Sequence, residues 1–437
     1  MSVGSGHKSN VALPSICFWV TVVLVTIGCC ATASAQKFGV VYTFSGGSDG
    51  ANPFSPITVN RAGILFGTTF LDGAGYGTVF QITPQGPGYA FTTLYQFKGG
   101  DDGAGPYHQG VTIGPDGSLY GTTAAGGGTS NICSGFQGTY NGCGIVYNLK
   151  PQISFCRTLF CPWNETVLYR FQGHDDGAGP FGNVIFDPSG NMYGVTFAGG
   201  TGNVGTVFEL TRSMNTWTKK TIWNFNGIPD GQSPADGLVI DVFGNLYGTT
   251  TYGGALGFGC VFMLQPSGSI WKESILYSFH DADDGANPYS ALVFDPYGNL
   301  YGTTVSGSVF RLTPGVLGWS FTSLHEFGGF FNGGPHGPVA IDPAGNIYGT
   351  TLNDDRNTAG TIWGLAPSPS GWVYSDLYLF DFDQNGAEPA NGLTWGPDTV
   401  LYGTTSSGGS RQGACQLGCG VVFRYAPFGT HDGSPVH

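Results

Sequence analysis

The sequence predicts an all-β fold, a seven-bladed β-propeller of four-stranded antiparallel blades. Two observations carry this. The phrase Leu-Tyr-Gly-Thr-Thr recurs seven times with small changes, at residues 66–69, 120–123, 193–196, 247–250, 301–304, 348–351 and 402–405. Successive copies start 54, 73, 54, 54, 47 and 54 residues apart. A period near 50 residues, built from strand-like pieces, is the mark of a propeller with one blade per repeat. The second observation concerns the ends. A phrase of the type Leu94-Tyr95-Gln96-Phe97 also occurs seven times, and its first copy, 41–44, precedes every blade. The last repeat stops after the strand at 421–425 with no such phrase behind it. The N-terminal strand is therefore expected to complete the last blade, which removes an exposed edge. An open solenoid or two separate domains would make these complementary ends a coincidence.

The repeat around residues 276–327 shows each element in order. Leu276-Tyr277-Ser278-Phe279 closes one blade, and an Asp/Gly/Pro loop, 283–288, leads to the apolar run Ala291-Leu292-Val293-Phe294. Asp295-Pro296-Tyr297-Gly298-Asn299 is a turn, with Pro presetting φ and Gly accepting φ > 0. Residues 300–304 form the second strand, 308–312 the third and 319–327 the fourth, and no helical period is sustained beyond the leader. Third strands such as Gly205-Thr206-Val207-Phe208 are apolar on both faces, as blades stacked face to face require. The Gly of Tyr-Gly-Thr-Thr is expected to leave room for the neighbouring blade or backbone.

Residues 1–35 read as a secretory signal: Lys8, an apolar run over 11–30, and Ala33-Ser34-Ala35 before Gln36. Residues 36–437 are then a single propeller domain, secreted to the extracellular space. The apolar run is also long enough to remain as a membrane anchor, and Ile27-Gly28-Cys29 loosely matches a lipoprotein site.

The chain has 15 Lys+Arg and 28 Asp+Glu. Only Lys8 lies in the leader, so the remainder carries 14 − 28 = −14. That acidity argues against nucleic acid or an anionic membrane as partner. Seven cysteines follow the leader. Local pairing predicts disulfides Cys133–Cys143, Cys156–Cys161 and Cys415–Cys419, which would staple long loops of an exported protein. Cys260, where other repeats place Thr, is left as a small buried hydrophobe.

The run Gly-Asn-Leu-Tyr-Gly-Thr-Thr, followed by Gly-Gly and Gly-Thr-Val-Phe-x-Leu and preceded by Asp-Gly-Ala-x-Pro, resembles the GloVer tandem repeat of bacterial surface and secreted proteins. It extends over residues 39–427. The resemblance implies export and a propeller-like array, and it brings no activity with it. The polar end 429–437 departs from the C-terminal anchor of many members. Asp-x-x-Gly-Asn-Leu-Tyr also looks like the turn of NHL-type and lactonase-like propellers.

Loops from fourth to first strands and from second to third strands share one face of a propeller. Here that face holds Asp49, Asp101, Asp102, Asp175, Asp176, Asp230, Asp283, Asp284 and Asp383, together with the cysteine loops. These Asp residues either cap turns through their own backbone or hold a hard cation, chiefly Ca²⁺ at Asp101, Asp102, Asp175, Asp176, Asp283 and Asp284. No other cofactor is expected. Just after the recurring Pro, the innermost strands begin at the channel mouth with His108, Gln109, Asn183, Asp236, Ser290, His336 and Asn391. These differ between repeats whose frame is constant, which suits a ligand site, and two His with one Asp also suit a metal. No nucleophile elbow, zincin motif or phosphate loop is present. The sequence thus predicts a monomeric, non-catalytic propeller that binds an extracellular protein, glycan or small molecule through its loop face. An extracellular hydrolase or lyase working at the channel mouth is the alternative.

Overall fold

A computed structural model describes residues 37–71, 74–108, 110–128, 133, 140–152, 163–214, 216–280, 284–328, 334–353, 357–411 and 415–428. Seven four-stranded antiparallel sheets follow one another along the chain. In blade 5 the strands are Val293–Phe294, Leu300–Thr303, Ser308–Gly315 and Gly318–Glu326, ordered from first to fourth across the sheet. The other blades repeat this plan. Most innermost strands are two residues long, and in blade 3 the innermost strand is extended to Ala178–Phe186.

The ring closes as the terminal phrases predict. Lys37–Thr43 is the outer strand of blade 7 and pairs antiparallel with Val421–Ala426, in the register Lys37↔Ala426, Val40↔Phe423 and Thr43↔Val421. The same one-residue register shift interrupts the third and fourth strands of every blade. The skipped residue is the first of the Leu-Tyr-x-Phe phrase, for example Leu94 between the pairs Val79↔Tyr95 and Phe80↔Thr93. A bulge adds local twist and re-aims the two aromatics that follow.

Those aromatics build the blade interfaces. The Phe of each fourth-strand phrase meets the third-strand aromatic of the next blade, with ring centroids 5.1–5.5 Å apart at all seven interfaces. Phe279 against Phe310 and Phe44 against Phe80 are two of these pairs, the second spanning the ring closure. One buried apolar cluster lies at each interface. All of them are made from residues within 37–428, so this segment contains its own core.

The glycine of Tyr-Gly-Thr-Thr serves a different neighbour from the one expected. A Cβ on Gly302 would lie 2.5 Å from Cζ of Phe310, and one on Gly349 2.3 Å from Trp363. Gly302 and Phe310 are register partners in one sheet. The glycine makes room for its own blade's third-strand aromatic, which packs over it and faces the preceding blade's Phe.

The two threonines divide the remaining work. The first donates across the blade interface to an innermost-loop carbonyl: Thr249 Oγ1 to Ser290 O at 3.0 Å, Thr350 Oγ1 to Asn391 O at 2.7 Å, Thr404 Oγ1 to Ser55 O at 2.9 Å. The second is satisfied within its own blade, as in Thr69 Oγ1···Thr78 Oγ1 at 2.8 Å. Cys260 is free and buried, and it replaces Thr in that pair, its Sγ lying 3.1 Å from Thr250 Oγ1. Burial pushes its thiol up to about 12, so it is an inert packing group.

Adding a methyl at Gly302 should therefore destabilise the protein by about 1–3 kcal/mol through overpacking. Shortening the facing ring should relieve part of that. In urea denaturation, Gly302→Ala combined with Phe310→Leu should lose less stability than the two single losses summed. Simple additivity would disprove this account of the glycine.

Candidate functional site

The loop face is built by connections locked to one another. The residue before the recurring Pro has φ between 53° and 58° at Asn52, Ser233, Asn287 and Glu388. Its N–H bonds to the preceding blade's second-to-third loop, as Asn287 N does to Phe258 O at 2.8 Å. Each first-strand residue is thereby delivered to the channel mouth from a fixed anchor.

The position directly after the Pro carries Phe54, Tyr107, Phe181, Tyr289 and His336, with Ala235 and Ala390 in the other two blades. Sequence reasoning passed over the aromatics among these, although a Phe or Tyr after Pro in four repeats was the available signal. Their rings meet. Phe54 lies 5.0 Å from Tyr107, and Tyr107 6.2 Å from Phe181. His108 of blade 2 lies 5.6 Å from Tyr289 of blade 5, and Tyr289 lies 6.1 Å from His336 of blade 6. Blades 2 and 5 are not neighbours in the ring, so these side chains meet across the channel axis.

The predicted mouth residues take several roles. His108 is buried with φ 57°, a left-handed backbone that costs a non-glycine residue energy. Burial, and then the neighbouring His336, lower its pKa to about 3, while burial lowers that of His336 to about 4, so both rings are neutral near pH 7. The Nε2 of His336 and the Oδ1 of Asn183 are buried without a hydrogen-bond partner. Asp236 is raised to about 6 by burial, against two backbone donors. These are its own neighbour Gly237 N at 2.6 Å and, in the next blade, Ala291 N at 2.9 Å. Asn391 accepts from Gly392 N at 2.7 Å and donates to Phe54 O of blade 1 at 3.0 Å. Ser290 Oγ accepts from Thr303 N at 3.1 Å. His108 and His336 thus form one group with Tyr289 and Tyr107, whereas Asp236, Asn391 and Ser290 hold inner strands in place. Gln109 lies outside the described residues.

Beside this group, between blades 2 and 3, opens a cleft of 560 Å³. Phe181 and Phe197, 5.2 Å apart, line it together with Gly142, Gly199, Gly200 and Cys133. Thr201, Asn203, His174 and Asp175 stand around it. Cys133 is disulfide-bonded to Cys143, which shapes the wall, and Cys415–Cys419 staples the equivalent loop of blade 7. Cys156 and Cys161 lie outside the described residues. The presence of Cys133 and Gly142 from one kind of loop and His174 and Asp175 from the other shows that the two kinds share a face.

The acidic loops resolve residue by residue. Asp102 accepts from Tyr95 Oη, Lys98 N and Gly103 N at 2.8–2.9 Å. Asp49, Asp176 and Asp284 repeat the bond to the tyrosine seven residues earlier and to the backbone N–H four residues earlier. Asp230 takes Asn226 N at 2.9 Å, and Asp383 takes Asn385 N at 2.6 Å. Asp101 and Asp175 are exposed. Among the described residues no three His, Cys, Asp or Glu side chains gather as metal ligands. Asp283 lies outside them.

One fourth-strand position alternates between chemistries. Phe91, Phe321, Tyr374 and Phe38 stack on the preceding blade's fourth-strand ring, 3.8–4.3 Å between centroids. Lys219 instead reaches Asp176 at 2.9 Å. Glu165 and Glu273 fill the same position with a carboxyl against a carboxyl. Burial, then Asp230, push Glu273 up to about 9; burial, then Asp102, push Glu165 up to about 7.

The comparisons with known proteins can now be placed on this geometry. Residues 133–308 carry the Gloeobacter/Verrucomicrobia repeat. The resemblance read from the motifs therefore holds over this stretch, and the same blade plan continues on both sides of it. No curated protein matches the chain. Among solved structures, a candidate 6-phosphogluconolactonase from Bacteroides uniformis is similar at 15% identity and a TM-score of 0.51, over 79% of this chain and 89% of that one. A candidate gluconolactonase matches at 14% identity and 0.39, over 72% and 87%. A candidate glucose dehydrogenase from Thermus thermophilus matches at 14% and 0.42, over 90% and 100%. The first of these supports the propeller fold and nothing further.

Two outcomes follow. A carboxyl whose pKa is raised by folding adds stability that is full below its unfolded value of about 4.5 and is lost as pH rises through about 7 for Glu165 and about 9 for Glu273. The melting temperature should fall between pH 5 and pH 9, and Glu273→Gln should flatten that slope; an unchanged slope would reject the carboxyl pair as its source. Because Asp49, Asp102, Asp176, Asp230, Asp284 and Asp383 are committed to turns, millimolar calcium should leave the melting temperature unchanged. A rise that Asp284→Asn abolishes would instead establish a folded-state cation site.

Proposed function

We propose that the protein is a monomeric, secreted, non-catalytic binding propeller whose loop face takes a neutral glycan or similar polyhydroxylated ligand. The single observation behind this is the cleft between blades 2 and 3, where the half-buried Phe197, backed by the buried Phe181, stands beside Thr201 and Asn203. Sugar rings offer one apolar C–H face and an edge of hydroxyls, and such a site complements both. Its volume is in the range of small-molecule pockets, ~300–1,000 Å³. Tyr107, Phe54 and Tyr289 continue the aromatic surface toward the channel mouth, which suits a ligand longer than one ring. The disulfide Cys133–Cys143 holds the wall in place before binding, and preorganisation lowers the ordering cost of association.

The alternative, an extracellular hydrolase or lyase at the mouth, draws on the two neutral histidines beside Tyr289. Against it, both carboxylate oxygens of Asp236 already accept backbone N–H groups, which ties that acid to the inner strands.

Calorimetric titration with a panel of neutral oligosaccharides tests the reading. Binding should appear for at least one, and Phe197→Ala should weaken it by about tenfold, the scale of a lost stacking contact. Product release from the bound sugar, abolished by His336→Gln, would replace binding with catalysis.

A further inference from the structure

Two polar residues that line the cleft stand where other repeats place glycine. His174 lies in the connection from blade 2 to blade 3 and has φ 50°. Its carbonyl accepts from Gly200 N at 2.7 Å. One repeat earlier the same bond runs from Gly128 N to Gly100 O at 3.0 Å, and Gly100 has φ 61°. Asn203 stands two residues before Gly205, which leads into the third strand of blade 3, and has φ 55°. In blades 1, 2, 4 and 7 that place is held by Gly75, Gly142, Gly257 and Gly418, with φ from 86° to 95°. Both positions are left-handed, a backbone that glycine enters freely and a side chain enters at a cost. Asn and His tolerate it better than most residues, yet the glycine of the other repeats would serve the fold as well.

The fold makes no use of what these side chains add. Both are exposed, and neither forms a hydrogen bond or ion pair with a described residue. Asp176, two residues after His174, shows the contrast: Tyr169 Oη, Gln172 N and Lys219 Nζ all bind it. His174 and Asn203 are instead brought together. Gly200 donates to His174 O, and its own carbonyl accepts from Asn203 N at 2.9 Å. The two residues thus flank one glycine of the cleft wall, and Phe197 lines the same cleft. An imidazole presents two ring nitrogens, and a carboxamide presents both a donor and an acceptor. A hydroxyl also donates and accepts, so two such groups on either side of Gly200 suit two hydroxyls on adjacent carbons.

We propose that His174 and Asn203 are the hydrogen-bonding anchors of the cleft, and that they select a sugar ring with free hydroxyls on two adjacent carbons. This rests on the reading of the cleft as a glycan site. Phe197 takes the apolar face of the ring, and the two side chains take its edge. Their left-handed backbone is the structural cost of placing them there, since backbone held in a sparsely populated region collects at sites of binding.

Calorimetric titration tests this with cellohexaose, maltohexaose and mannohexaose. Whichever binds is also titrated after O-methylation at its primary hydroxyls or at its adjacent secondary hydroxyls. The first form should bind like the parent, and the second about tenfold or more weakly. His174→Gly and Asn203→Gly should each weaken the parent's binding by about tenfold. The melting temperature should stay level or rise in both, because glycine takes this backbone freely. His174→Asn, which keeps a donor and an acceptor, should lose less affinity than His174→Gly. A lower melting temperature in either glycine variant would assign that side chain to the fold and overturn the proposal, as would equal binding of the two methylated forms. Binding that Phe197→Ala weakens and both glycine variants leave intact overturns the proposal while the cleft remains a glycan site. If none of the three oligosaccharides binds, the glycan reading and this proposal fall together.

Discussion

The ring depends on one contact made seven times: a fourth-strand Phe set edge-on, or tilted in the case of Phe327, against the third-strand aromatic of the next blade. Neither partner reaches the other by accident. The bulge at the Leu position re-aims the Phe, and the glycine of Tyr-Gly-Thr-Thr lets the third-strand aromatic pack over it. Such aromatic pairs contribute ~0.5–1.5 kcal/mol beyond the area they bury, and a closed ring has no interface at which to omit one. The closure contact, Phe44 on Phe80, is supplied by the residue that follows the strand Lys37–Thr43. The last blade therefore cannot be completed until both ends of the chain have met.

This explains what was legible in the sequence. Residues that hold an interface must recur in every repeat, so Leu-Tyr-x-Phe, Tyr-Gly-Thr-Thr and the Gly-x-Val-Phe strand announced the blades, their order and the velcro closure. The partner of the glycine was not legible, because sequence spacing does not show that Gly302 and Phe310 are paired across adjacent strands of one sheet. The roles of the threonines were hidden for a related reason: Thr249 acts on Ser290 of another blade, and no local pattern links them.

The candidate site was legible only in outline. Variation on a constant frame pointed to the channel mouth, where His108 and His336 both meet Tyr289. It also gathered Asp236, Ser290 and Asn391, which vary between repeats yet satisfy inner-strand backbone. Variation marks freedom from the repeat, and a residue so freed can cap a neighbour as readily as it can meet a ligand. The aromatics one position earlier were overlooked because Phe and Tyr in a propeller are ordinarily core. Their placement at the mouth depends on the left-handed residue before the Pro, whose φ is invisible in a sequence. The Asp-rich loops show the reverse: a Tyr–Asp spacing of seven residues was present in the sequence, and it already implied the hydroxyl-to-carboxylate bond that commits those acids to turns.

The two faces differ because a propeller assigns its loops unequally. Connections between blades must carry the chain from the rim back to the axis, so they are long, and their Asp and Gly residues build the acidic surface around the cleft together with the cysteine-stapled second-to-third-strand loops. The turns of the opposite face need only reverse a strand. Their Asp caps from within, and the outward residues carry no structural duty, as the exposure of Phe243 and Tyr297 shows. The two kinds of connection are thus separate consequences of one topology, and neither competes with the interfaces that hold the ring.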